Sequence, residues 1–225
     1  MTEINLAQGS SSVPPTKKNN TFSIKKSIML ILLTLILSVG GWYAVGTYYV
    51  WADVDIQRVN EQLEFYKQKV MSEPNNAKAR VDLGYTYFLK EKNPEAIREF
   101  KQALLIDPKF FDAYYNLGVV QLSEKQYNEA LENITKAVEL SPRDYKGHLQ
   151  KGIAYRNLGM FEEAMKSLNQ ANKLNPTNAD IIYQIGRVAE DQGDKDMAIG
   201  IYKEVLGFDP LFKDAIESLQ RLEKK

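Results

Sequence analysis

The chain has no cysteine and a single histidine, His148. The first absence excludes disulfides, thiolate metal sites and cysteine nucleophiles. A lone imidazole without a carboxylate or thiol at ligand spacing makes no metal centre. Net charge is lacking as well, because 29 Lys and Arg residues face 29 Asp and Glu residues. That balance leaves no electrostatic footprint for nucleic acid. Also missing are a phosphate-cradling glycine loop, a catalytic triad and a paired carboxylate setting. The expectation is therefore no enzyme, no metal and no cofactor, with function residing in surfaces.

What the sequence does have is a ruler. Pro74, Pro108, Pro142, Pro176 and Pro210 stand 34 residues apart. Gly84, Gly118, Gly152 and Gly186 keep the same step, as do Ala96, Ala130, Ala164 and Ala198. A fixed period of this length implies stacked supersecondary units instead of one globular core. The units run 77–110, 111–144, 145–178 and 179–212, each read as two helices joined by a short turn. Asn93 followed by Pro94 suits the start of a second helix, and Gly159 and Gly193 suit the end of a first one. Asp144 and Asn178 occupy matching cap positions. The small residues belong where two helices press closest, and the large ones fill the hollows between pairs.

Neutrality conceals a split upstream of the repeats. Residues 1–26 carry four lysines against Glu3 and hold Gly-Ser and Pro-Pro breakers, so a disordered basic tail is expected. From Ser27 to Ala52 no side chain is charged. Spanning a bilayer as a helix takes about 20 predominantly apolar residues, which this run supplies. Trp42, Tyr43, Tyr48, Tyr49 and Trp51 gather in its second half, where an interfacial belt would lie. A buried core helix would need a domain around it. A cleaved signal peptide competes, with Ile28 to Leu37 as its apolar region, but the polar leader and the continuation to Ala52 favour an uncleaved anchor. Lys17, Lys18, Lys25 and Lys26 before the span, against Asp53 and Asp55 after it, orient the amino terminus to the cytoplasm. The expectation is a single-pass protein contacting the lipid bilayer through 27–52, with its repeats extracytoplasmic; the alternatives are an architectural membrane protein that self-associates and an organelle receptor whose repeats face the cytosol.

Between anchor and repeats, 53–73 presents Ile56, Val59, Leu63, Tyr66 and Val70 on one helical face. It reads as a linker helix that covers the upstream face of the first unit. At the other end, 213–225 places Ala215, Ile216, Leu219 and Leu222 on one face and reads as a capping helix.

These units resemble the tetratricopeptide repeat. The first shows Leu83-Gly84, Tyr87, Ala96, Phe100, Ala103 and Pro108, and the second Leu117-Gly118, Ala130, Ile134, Ala137 and Pro142. The third keeps Gly152, Tyr155, Ala164, Leu168, Ala171 and Pro176; the fourth keeps Ile185-Gly186, Ala198, Tyr202 and Pro210. Departures are Gln121 and Ala189 for the aromatic, Lys151 before its glycine and Val205 for the second alanine. The resemblance implies an all-α solenoid of helical hairpins whose first helices line an inner surface that holds a protein or peptide partner. Positions 5, 9 and 12 of each unit would supply that groove, chiefly Val81, Tyr85, Phe88, Tyr115, Val119, Leu122, Leu149, Ile153, Tyr183 and Arg187. Position 2 would flank it with Lys78, Asp112, Lys146 and Asp180. The carboxylate clamp of some members would fall on Val81, Tyr85, Asn116, Lys146 and Gln150, of which only two match, so that mode is not expected. His148 falls at position 4, where the family packs a large side chain. Asn133-Ile134-Thr135 forms a glycosylation sequon, but with Ile134 expected in the core it does not suit modification.

Overall fold

The computed structural model describes residues 51–224, and the regular structure there is entirely helical. The basic tail and the uncharged run lie outside the described residues, apart from Trp51 and Ala52. Among the described residues no helix is long and apolar enough to cross a membrane. Ile56–Lys225 forms one compact unit.

The helices are α1 (Trp51–Ser72), α2 (Ala77–Leu89), α3 (Asn93–Ile106), α4 (Phe111–Ser123), α5 (Tyr127–Leu140), α6 (Tyr145–Asn157), α7 (Phe161–Leu174), α8 (Ala179–Asp191), α9 (Lys195–Phe208) and α10 (Lys213–Glu223). Local chemistry sets their starts. Asn76, Asp144 and Asn178 accept from the backbone N–H of Ala79, Lys146 and Ile181 at 2.9, 2.8 and 3.1 Å. These bonds satisfy donors that a helix leaves orphaned at its first turn. Asp194 caps α9 in the same way, 3.0 Å from the Met197 N–H. Asn93 departs from its expected role. Lys92 stands at the cap of α3, while Asn93 is inside the helix and its amide donates to Glu124 of the next unit.

The turn inside each pair shows why glycine stands at 159 and 193. Their φ angles are +74° and +85°, a left-handed conformation that only glycine adopts freely. Glu91 and Lys125 occupy the equivalent positions with φ of 57° and 60°. The first two pairs thus carry side chains where the last two relax with glycine.

Helices pack in antiparallel pairs, α2 with α3, α4 with α5, α6 with α7 and α8 with α9, and each pair packs on the next. Along every second helix one stripe is wholly shielded from solvent: Ala96, Phe100 and Ala103, then Ala130, Ile134 and Ala137, then Ala164, Leu168 and Ala171, then Ala198, Tyr202 and Val205. Steps of four and three keep these on one face. The large residue at the centre of each stripe lies over the glycine of its partner helix. A Cβ at Gly84 would fall 2.7 Å from Phe100, at Gly152 2.6 Å from Leu168 and at Gly186 2.6 Å from Tyr202. One at Gly118 would overlap Ile134.

First helices also touch one another, α2 with α4, α4 with α6 and α6 with α8. The layer whose members meet directly is the shorter, concave side of the stack. Beyond α8, α10 packs on α9 as another first helix would, burying Ala215 and Leu219. By contrast α1 lacks the close backbone packing that joins later neighbours. Of its expected face Leu63 is buried, Val59, Tyr66 and Val70 are half-buried, and Ile56 is exposed. A polar tie to the first pair comes from the Lys90 ammonium, which donates to the Asn60 side-chain oxygen.

Candidate functional site

On the concave side α2, α4 and the start of α6 enclose an open cleft of about 530 Å³. It is lined by Tyr85, Phe88, Phe111, Asp112, Tyr115, Asn116, Val119, Asp144 and Lys146. Four residues expected in the groove, Tyr85, Phe88, Tyr115 and Val119, are therefore brought together. Tyr85 is 47% exposed, a large aromatic open to solvent. Phe111 stacks on Tyr115 with ring centroids 5.7 Å apart and planes 17° from parallel. Burial pushes the Tyr115 phenol pKa up, and a hydrogen bond with Gln150 pulls it partly back. Its hydroxyl thus stays neutral, a donor and acceptor beside an apolar wall.

Three of the expected groove residues are not available there. Val81, Leu149 and Tyr183 are 5%, 9% and 6% exposed and belong to the hydrophobic cores between units. All hold position 5, which the next first helix covers. Val81 packs with Ala113, Leu117 and Val120 of α4, and Leu149 with Ile181 and Val188 of α8. Tyr183 lies under α10 and its lead-in, 5.3 Å from the Phe212 ring and 5.4 Å from that of Tyr202. Tyr115 shares position 5 but is only half-buried, its ring lying on Phe111 at the edge of the cleft. Leu122 and Ile153 are half-buried against neighbouring cores, and Arg187 is half-buried further along. Phe111 and Asp144 line the cleft without having been expected. The spacing of four between Phe111 and Tyr115 was the available signal, since it stacks two aromatics on one helical face.

Past the cleft the inner surface turns ionic. Arg156 donates to the Gln184 side-chain oxygen at 2.6 Å, and its Nε lies 3.4 Å from Asp191. Burial lowers the Arg156 pKa, with nearby Arg187 adding to the effect. Tyr202 donates to Glu190 at 2.7 Å, and Arg221 of α10 donates to both Glu190 oxygens at 2.7 and 2.9 Å. Burial, followed by that bond to a carboxylate, raises the Tyr202 pKa strongly. Burial pushes Glu190 the other way from its net shift; the Tyr202 hydroxyl and Arg221 outweigh it and hold the carboxyl below its usual range.

The outer side of α6 and α7 bears a second cleft, about 560 Å³, lined by Lys151, Lys166, Lys173 and His148 among others. His148 donates its Nε2–H to the Pro142 carbonyl at 2.9 Å. Asn133 of the sequon donates to buried Gln121 at 2.8 Å, which satisfies the polar residue standing in for an aromatic.

Sequence profiles described as "TPR repeat" match residues 84–125 and 152–193, and others described as "Tetratricopeptide repeat" match 111–144 and 179–210. No curated protein matches the chain. Among solved structures, YrrB, titled a TPR protein with an unusual peptide-binding site, is 25% identical over 74% of this chain and 86% of its own, with a TM-score of 0.61. A thermophilic TPR protein of Thermus thermophilus is 20% identical over 76% and 94%, TM-score 0.64. MamA of Desulfovibrio magneticus is 22% identical over 75% and 97%, TM-score 0.63. The period, the small-on-large packing of each pair and these matches agree, and the chain belongs to the tetratricopeptide repeat family.

Proposed function

We propose that the protein is a membrane-anchored scaffold that binds an extended peptide segment of a partner protein on the extracytoplasmic side, as an assembly or biogenesis factor. The observation that carries the binding half is the cleft lined by Tyr85, Phe88, Tyr115 and Val119. Aromatic rings with a polar tip suit an interface that is apolar on one side and wet on the other. The peptide-binding site named for YrrB, a chain of like fold, agrees with this reading. The anchoring half rests on the uncharged run Ser27 to Ala52 and the four lysines before it.

Capture of partners by the full-length chain and by its Tyr85→Ala, Tyr115→Ala double variant tests the binding half. The variant is expected to lose most captured partners while remaining folded, because truncating two central aromatics removes about 2 kcal/mol or more of binding energy. Identical partner sets would remove the cleft from the account. For the anchor, protease added outside intact cells is expected to digest the repeats. Digestion only after permeabilisation would reverse the orientation and favour an organelle receptor whose repeats face the cytosol.

A further inference from the structure

Position 9 of the four first helices forms one row along the concave side: Tyr85, Val119, Ile153 and Arg187. It starts in the aromatic cleft and ends on a cation. That cation is poorly satisfied within the chain. The Arg187 Nε is buried without a hydrogen-bond partner, and its Nη1 reaches only the Tyr183 hydroxyl at 3.4 Å, with the ring 5.9 Å from Cζ. Neighbouring carboxylates have closer partners, although Asp191 still favours the charged form of Arg187 through space. Asp191 pairs with Arg156 at 3.4 Å, and Glu190 is held by Arg221 at 2.7 Å and by Tyr202. Among the described residues no carboxylate lies within ion-pair reach of Arg187. Three guanidiniums thus share two carboxylates. The unmade bond is at Nε, which solvent does not reach, so an incoming carboxylate would meet the terminal nitrogens, whose planar edge suits bidentate capture.

We propose that the groove selects an extended peptide in which an apolar or aromatic side chain and an Asp or Glu stand about six residues apart, the first seated by Tyr115 and Val119 and the second on Arg187. The proposal rests on the peptide-binding reading above and adds the chemistry of the ligand. The spacing follows from the stack. From α4 to α8 is two helix steps of about 8–10 Å each, and an extended chain advances about 3.3 Å per residue. Specificity then comes from the far end, since an uncharged peptide would leave Arg187 as it now stands.

Fluorescence anisotropy with labelled, amidated peptides and the purified full-length chain tests this. One peptide carries Phe and Glu six residues apart, a second has Gln for Glu, and a third sets Phe and Glu three residues apart. The first is expected to bind about tenfold more tightly than the other two, the worth of one charge-assisted pair. Arg187→Gln should level the first two peptides without weakening the second, and Arg187→Lys should restore part of the difference. Equal affinity of wild type for the Glu and Gln peptides, with Tyr115→Ala still weakening both, would overturn the acidic half and leave the cleft intact. Binding of all three peptides that ignores Tyr115→Ala would overturn the cleft along with it. The wild-type comparison stands even if an Arg187 variant folds poorly.

Discussion

Four glycines carry the packing of this protein, and each does so by what it lacks. Gly152 leaves room for Leu168, whose Cγ would lie 2.6 Å from an added methyl. Contacts that short force a core side chain or a helix to move, and overpacking of this kind costs about 1–3 kcal/mol. Gly200, inside α9, has nothing within 4 Å of an added Cβ and is exposed. There the same change gains helix propensity of about 0.5–1 kcal/mol. Gly152→Ala is therefore expected to lower, and Gly200→Ala to raise, the urea midpoint of unfolding. Both shifting in the same direction would refute the distinction. The tracks of glycine and alanine were legible in the sequence because helix-helix distance permits only one residue size at those places. Asn93 was not, since Asn before Pro reads as a cap until tertiary contact draws its amide toward Glu124. The pair of Arg80 and buried Glu99, 3.0 Å apart, was not legible either, for it breaks the period and lies 19 residues apart in sequence.

At the level of elements, α8, α9 and α10 are joined by Tyr202, Glu190 and Arg221 as much as by apolar packing. Ordinary titration of Glu190 lies near 4.5, and in the fold it lies lower. A depressed carboxyl contributes stability above its unfolded value and loses that share as pH falls through the folded one. Tyr202 behaves oppositely. Its pKa is raised from 10.0, so its contribution is complete below pH 10 and drains away as pH rises beyond it. Tyr202→Phe removes the donor from Glu190 and the ionisable phenol together. The variant is expected to lose about 1.5–3 kcal/mol near neutrality, the worth of a hydrogen bond to a charged group. Its urea midpoint should also fall less than the parent's below pH 4.5 and above pH 10. Parallel pH curves would show that the pair does not couple folding to protons. The bonding was not readable beforehand: Tyr202 stands on a repeat track, but its partner Glu190 lies 12 residues away and Arg221 lies 31 from Glu190, beyond the four units.

In the stack as a whole, a following helix buries the position 5 side chain of the first, third and fourth units, so the last unit depends on α10. Removing 213–225 would uncover Tyr183, Tyr202 and Phe212, which now meet beneath α10. The shortened chain is expected to unfold at lower urea and to bind a dye for exposed apolar surface, because adjoining units stabilise one another chiefly at their interfaces. Unchanged melting would mean that the fourth unit stands without cover. That dependence also explains why the cleft is narrower than the period alone suggests. Equivalent positions look alike in a periodic sequence, yet Val81, Leu149 and Tyr183 are roofed by a following helix while Tyr115 stays half-buried and lines the cleft.

The helix-pair turns divide the array unevenly. Glu91 and Lys125 hold a backbone shape that favours glycine, and they sit in the two pairs that supply the aromatic rings of the cleft; Gly159 and Gly193 relieve the pairs that bear the ion network. Left-handed backbone at non-glycine residues is thus confined, among the described residues, to the half that holds the aromatic cleft, and replacing Glu91 or Lys125 by glycine would relax that half alone.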